Sequence, residues 1–122
     1  MTSIISSDES VLSKLSAALR PLEDLANQTL VAMPVSLVQT FLLVASRPNR
    51  TVTELADAAG VRNGTMSRRL ADQSKANRCG AAGIGLVERN VNGFDRRYVR
   101  NRLSVKGNAV VRQIINAMQG RR

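Results

Sequence analysis

The sequence predicts a mainly α-helical fold with one small β-hairpin, and three observations predict it. Apolar residues recur at three- and four-residue steps along most of the chain, the spacing of helical stripes. Two helical segments, residues 53–59 and 62–70, are parted only by Gly60 and Val61, which is the spacing of two helices crossing over a tight turn. Further on, Gly85-Leu86-Val87-Glu88-Arg89 and Tyr98-Val99-Arg100-Asn101-Arg102-Leu103 read as short strands. The turn between them, Asn90-Val91-Asn92-Gly93-Phe94-Asp95-Arg96-Arg97, is cationic.

A chain of 122 residues sets one domain as the default, with a core small enough that a second copy would help bury it. Apolar residues make up 43% of the chain and aromatic ones only 2%, so the core must be aliphatic. Base stacking on aromatic platforms, the habit of single-strand and RNA-binding sheets, has little to stand on. The formal net charge is +9, unevenly spread. Through residue 46, Lys14 and Arg20 stand against Asp8, Glu9, Glu23 and Asp24, a net of −2. From residue 47 onward, sixteen cations stand against five anions, a net of +11. Such asymmetry implies a polyanion-binding part beside a part with another task. A nucleic acid is the first candidate and an anionic membrane the second. The single cysteine, Cys79, forms no intrachain disulfide and fits a reducing compartment. With no apolar run of membrane-spanning length and no signal-peptide core at the start, the reading is a cytoplasmic, nucleoid-associated bacterial protein without a membrane partner.

In chain order, Ser6-Ser7-Asp8-Glu9-Ser10 reads as a capped helix start with acids in its first turn. Leu12, Leu15, Leu19, Leu22, Leu25 and Leu30 continue it as a stripe, which Pro21 either kinks or splits into two helices. The stripe is long for the core behind it, so a subunit interface is favoured over a fold-back on its own core. After Met33-Pro34, Ser36 is placed to cap a helix through Val38, Phe41, Leu42 and Ala45. Thr51-Val52-Thr53-Glu54 fits a capping box. The helix after it buries Leu55, Ala56 and Ala59 and ends at Gly60, where a left-handed residue is cheap. The next helix starts at Arg62 or Asn63 and turns Met66 and Leu70 inward, then is expected to run to about Ala76 before a glycine-rich loop. Ser104 caps a final helix whose apolar side is Val105, Val110, Val111, Ile114, Ile115 and Met118.

Thr65, Ser67, Arg68 and Arg69 occupy the remaining faces of the second helix of the pair. These side-chain types donate to base edges and phosphates. Arg96, Arg97 and Arg100 belong to the hairpin, suited to a phosphate-walled groove. Asn63 is either a helix cap or a base contact. Asp95 is either a turn former or the partner of Arg97. Cys79 reads as inert rather than as a redox sensor, despite Lys75 and Arg78 nearby. Glu54 and Asp57 read as a solvated cap rather than an acid–base pair. There is no histidine, no paired-cysteine metal spacing, no phosphate-loop pattern and no nucleophile elbow, so neither an enzyme nor a metal or cofactor site is expected.

Over residues 36–115 the chain resembles the MarR (multiple antibiotic resistance regulator) family of winged-helix transcription factors. The resemblance rests on Thr53-Glu54-Leu55-Ala56 through Val61, Thr65-Met66-Ser67-Arg68, Gly85-Leu86-Val87-Glu88-Arg89, Asp95-Arg96-Arg97 and Arg102-Leu103-Ser104-Val105-Lys106-Gly107. It implies a winged helix–turn–helix over residues 35–103, dimerised through an N-terminal helix in residues 1–34 and a C-terminal helix in residues 104–122. It implies that residues 62–69 enter the major groove, that Arg97 reaches the minor groove from the wing, and that Asp95 helps set that arginine. The dimer contact would use Leu12, Leu15, Leu19, Leu22, Ile114, Ile115 and Met118. No residue set demands the small-molecule effector that many relatives bind. The function this implies is a homodimeric, sequence-specific regulator of transcription on double-stranded DNA, a repressor rather than an activator. Two rival readings are a low-specificity architectural or mobile-element accessory protein and a winged-helix protein-interaction module.

Overall fold

The computed structural model describes residues 6–75, 83–90 and 99–120. Within them lie five helices and a two-stranded antiparallel sheet. The helices are α1 (Ser6–Thr29), α2 (Val35–Ser46), α3 (Val52–Ala59), α4 (Asn63–Asp72) and α5 (Val105–Met118); the strands are β1 (Val87–Asn90) and β2 (Arg100–Leu103). The core is aliphatic around one ring. Phe41 and Val44 of α2 meet Leu55, Met66, Leu70, Ile84, Leu86 and Leu103, and Leu22, Leu25 and Val110 close it from α1 and α5. Each such side chain is worth about 1.5–3 kcal/mol when fully buried.

α1 is one helix of 24 residues that passes through Pro21. Of the two sequence readings, a split at Pro21 is therefore excluded. The hydrogen bond that proline forfeits falls on Ala17, an exposed position, and packing of α1 along α5 holds the helix through the defect. Ala18, Leu22 and Leu25 are the buried apolar side chains of α1. Leu22, placed by the sequence in a subunit interface, is thus corrected to a core residue, 2% exposed.

α2 begins one residue before the expected cap. Pro34 occupies the cap position, and its carbonyl accepts from the amides of Leu37 (2.9 Å) and Val38 (3.1 Å). Ser36 lies inside the helix, and its carbonyl accepts from the Thr40 hydroxyl at 2.8 Å. Ala59, expected in the core, is exposed, as are Leu42 of α2 and Val105 in the first turn of α5.

α4 ends at Asp72, four residues short of the expected Ala76. The reason lies in Gln73, which is fully buried where a leucine was expected. Its carbonyl accepts from the amides of Leu86 (2.8 Å) and Val87 (3.2 Å), so the backbone has left the helix to pair with the lead-in to β1. Ser74 and Lys75 continue that pairing with Gly85 and Gly83. The Gln73 side-chain amide turns back to the Arg69 carbonyl at 3.3 Å.

β1 and β2 pair with Val87 opposite Leu103 and Glu88 opposite Arg102. Glu88 and Arg102 form a cross-strand ion pair at 2.8 Å. Beyond β2, Ser104 caps α5 by accepting from the Gly107 amide at 3.0 Å while its hydroxyl donates to the Gly85 carbonyl at 2.5 Å. Its own amide donates to the Leu86 carbonyl at 2.9 Å. α5 is therefore seated directly on the strand backbone. At Gly107 a Cβ would fall inside contact distance of the Leu86 carbonyl oxygen, with the Leu103 side chain only 3.2 Å away. Because that obstacle is backbone, it has little room to give. Gly107→Ala is expected to cost about 2–3 kcal/mol, the upper part of the overpacking range. A urea titration would register this as a lower midpoint with an unchanged slope.

Candidate nucleic-acid interface

The interface is built from the pair α3–α4 and the sheet beside it. α3 starts with a complete capping box: the Thr51 hydroxyl accepts from the Glu54 amide, and the Glu54 carboxylate accepts from the Thr51 amide, both at 3.2 Å. Gly60 ends the helix at φ 70°, in the left-handed region, and the Val61 amide then donates to the Ala56 carbonyl at 3.0 Å. This turn is what lets α4 cross α3 closely.

α4 buries Met66 and Leu70 and leaves Arg62, Asn63, Gly64 and Arg68 exposed, with Thr65, Ser67 and Arg69 half-buried. Arg62 stands at the cap position with no side-chain capping bond. Asn63 is the first helical residue rather than the cap. Its side-chain amide donates to the Thr53 hydroxyl at 3.0 Å, tying the start of α4 to α3. The capping reading of Asn63 is corrected accordingly. Gly64 keeps the first turn low, and the Arg68 guanidinium lies over it.

The sheet carries Arg89, Arg100 and Arg102. Arg100 is half-buried at the wing root, where its guanidinium donates to the Asn49 carbonyl at 2.8 Å and lies 3.9 Å from the Glu54 carboxylate. The structure thus gives this sequence-selected arginine a structural task. Arg96, Arg97 and the proposed partner Asp95 lie outside the described residues, as does Cys79.

Three residues at this site escaped sequence reading: Asn49 and Arg50, which bracket the turn before α3, and Asn101 in β2. Asn101 is fully buried, and its backbone pairs with Arg50 as a third, single-residue strand contact. A signal for it did exist, since asparagine is disfavoured in strands. Among the described residues, no group of three or more side chains could hold a metal, and no helix is long and apolar enough to cross a membrane.

The Glu54 carboxyl is held below its ordinary pKa, first by the Thr51 amide and hydroxyl, then by Arg50. A lowered folded-state value means stabilisation present above the ordinary value and lost as pH falls through the lowered one. Wild type should therefore melt above Glu54→Gln at neutral pH, with the gap closing in mild acid. Thr51→Ala should cost about 1 kcal/mol. Thermal melts across a pH series check both.

No protein-family model matches the chain, and no curated protein sequence matches it significantly. Solved structures do match. RV1404 from Mycobacterium tuberculosis superposes with a TM-score of 0.64 at 17% identity, over 94% of this chain and 68% of that one. FabT of Streptococcus pneumoniae, solved in complex with DNA, gives 0.59 at 20% identity, over 72% of this chain and 56% of that one. MarR gives 0.59 at 19% identity, over 93% of this chain and 73% of that one. At such identities the likeness is one of backbone architecture, and the chain has the MarR-like winged-helix fold.

Proposed function

We propose that the chain is a non-enzymatic, sequence-specific transcription regulator that binds double-stranded DNA as a homodimer and represses by occupying its site. The observation that carries this reading is the presentation of α4: its apolar pair is sunk in the core while Arg62, Asn63 and Arg68 stand out to solvent beside a cationic hairpin. The likeness of the fold to FabT, solved on DNA, supports it. In this reading α4 lies in the major groove, with Arg62, Asn63, Thr65, Ser67, Arg68 and Arg69 supplying base and phosphate contacts. Arg96 and Arg97 take the flanking minor groove, with Asp95 setting Arg97. Phosphate contacts supply most of the affinity, which falls steeply as salt rises. A small-molecule effector is possible but not indicated, and the work is assigned to the bacterial cytoplasm, at the nucleoid.

The second copy would cover the outer stripe of α1 and the end of α5. Leu12, Leu15 and Leu19 are 51%, 46% and 43% exposed, and Ile115 and Met118 are 37% and 41% exposed, with Ile114 half-buried beside them. Leu19 also lines a half-open apolar cleft of about 420 Å³ between α1 and α2, formed with Met33, Val35 and Val38, so the stripe and cleft are continuous. Covering each half-exposed side chain is worth about 1–2 kcal/mol. A dimer would set the two copies of α4 about 34–36 Å apart, one helical turn of DNA.

Selection from a random duplex pool tests the reading. Bound sequences should show two related half-sites, and Arg68→Ala should change which sequences are recovered. Arg97→Ala should instead weaken all of them alike. A recovered pool indistinguishable from random would mean low-specificity coating, and no retention of DNA even at low salt would mean a protein-interaction module. For the dimer, Leu15→Glu should convert a two-copy particle into a one-copy particle in sedimentation, while leaving the helical circular-dichroism signal intact.

A further inference from the structure

Several bonds converge where the turn before α3 meets the root of the wing. The Asn101 amide and its side-chain Nδ2 both donate to the Arg50 carbonyl, at 2.8 and 3.1 Å. The Asn49 amide donates to the Asn101 carbonyl at 3.0 Å. Arg100 donates to the Asn49 carbonyl, and Asn49 itself is held at φ 60°, a left-handed conformation that asparagine tolerates better than most residues. Glu54 joins this knot with both oxygens. Oε2 accepts from Arg50 Nη1 at 3.2 Å, and Oε1 lies 3.9 Å from Arg100 Nη1.

The carboxylate is the odd member. An acid beside a surface meant for phosphates opposes binding by simple Coulomb repulsion. The helix cap survives loss of the charge, because a glutamine oxygen can still accept from the Thr51 amide in a capping box. What glutamine lacks is the charge facing two guanidinium groups on two different elements, one entering α3 and one on β2. We infer that Glu54 is a positioning residue for DNA binding: through Arg50 and Arg100 it fixes the wing root against the helix–turn–helix. This rests on the DNA-binding reading above. Pinning a recognition element beforehand reduces the ordering cost of binding.

The sign of the effect makes the test sharp. Glu54→Gln removes a negative charge and so, through charge alone, should tighten binding to DNA. Through positioning it should weaken binding. With the best duplex recovered by selection, E54Q is expected to remain folded and to bind about three- to five-fold more weakly, the scale of an exposed ion pair. Hydroxyl-radical protection should be lost at the flanks of the site and kept at its centre. Arg100→Lys keeps the charge but loses the planar fork, and should lose the same flanks; it decides the matter should E54Q unfold. Equal or tighter binding by folded E54Q with flanks protected overturns the inference while the regulator reading stands. A wild-type chain that protects no part of the duplex overturns both.

Discussion

The N-terminus of α5 rests on the bare backbone of the strand lead-in, and the relation between the two ends of the molecule depends on that seat. Gly107 has no side chain because the Leu86 carbonyl occupies the space. Ser104 ties down the same spot three ways: its amide to Leu86, its hydroxyl to Gly85, and its oxygen to the Gly107 amide. α5 carries α1 along its length, and α1 carries the exposed leucines. Leu86 and Val87 in turn take the Gln73 carbonyl at the end of α4. A short chain of backbone contacts thus connects the apolar stripe to the helix that would read DNA. Tight packing of this kind transmits position because it has little compliance.

The polar contacts around α3 play a different part. Exposed ion pairs are screened by water, so Arg50–Glu54 and Glu88–Arg102 add little to stability beside a core of aliphatic side chains. Their value is directional. Asn101 is the exception, because it is buried. The amide gains a bond to Arg50, yet among the described residues its oxygen has no hydrogen-bond partner, as is also true of Gln73. Both residues stand where the backbone changes partners, and their side-chain nitrogens hold the change in place.

Much of this was legible in the chain, and the illegible parts share a cause. The capping box at Thr51, the turn at Gly60, the inward pair Met66 and Leu70, and the cap at Ser104 follow from local rules, and the structure has them all. The family resemblance over the same stretch agrees with the fold. The misreadings are places where a distant contact overrules local preference. At Pro21 local rules left a kink and a split both open, and packing along α5 goes with a single unsplit helix. Ser36 is a good cap, but the Pro34 carbonyl already serves the first amides. Leu22 belongs to the same leucine series as Leu15 and Leu19, and periodicity alone does not say which side of α1 meets α5. Gln73 looks like the interior of a helix until the strand that claims its carbonyl is known. The exposure of Arg62, Asn63 and Arg68 followed from the helical period, while the backbone knot of Asn49, Arg50 and Asn101 did not, because it joins segments far apart in the chain.

The division of charge gains a structural meaning from this arrangement. The acids Asp8 and Glu9 fall in the first turn of α1, where they complement the helix dipole. Glu23 and Asp24 are exposed further along the same helix. The excess of cations begins only at residue 47, with the turn into α3. A polyanion approaching this chain therefore meets repulsion from the helix bearing the leucines and attraction from the helix–turn–helix and hairpin. At physiological salt such fields reach about 8 Å, enough to orient an encounter before any contact forms. In the proposed reading, the same asymmetry would keep the apolar stripe clear of nucleic acid and open to a second copy. Charge and exposed apolar side chains thus lie on separate surfaces, and the seat at Gly107 ties together the elements that carry them.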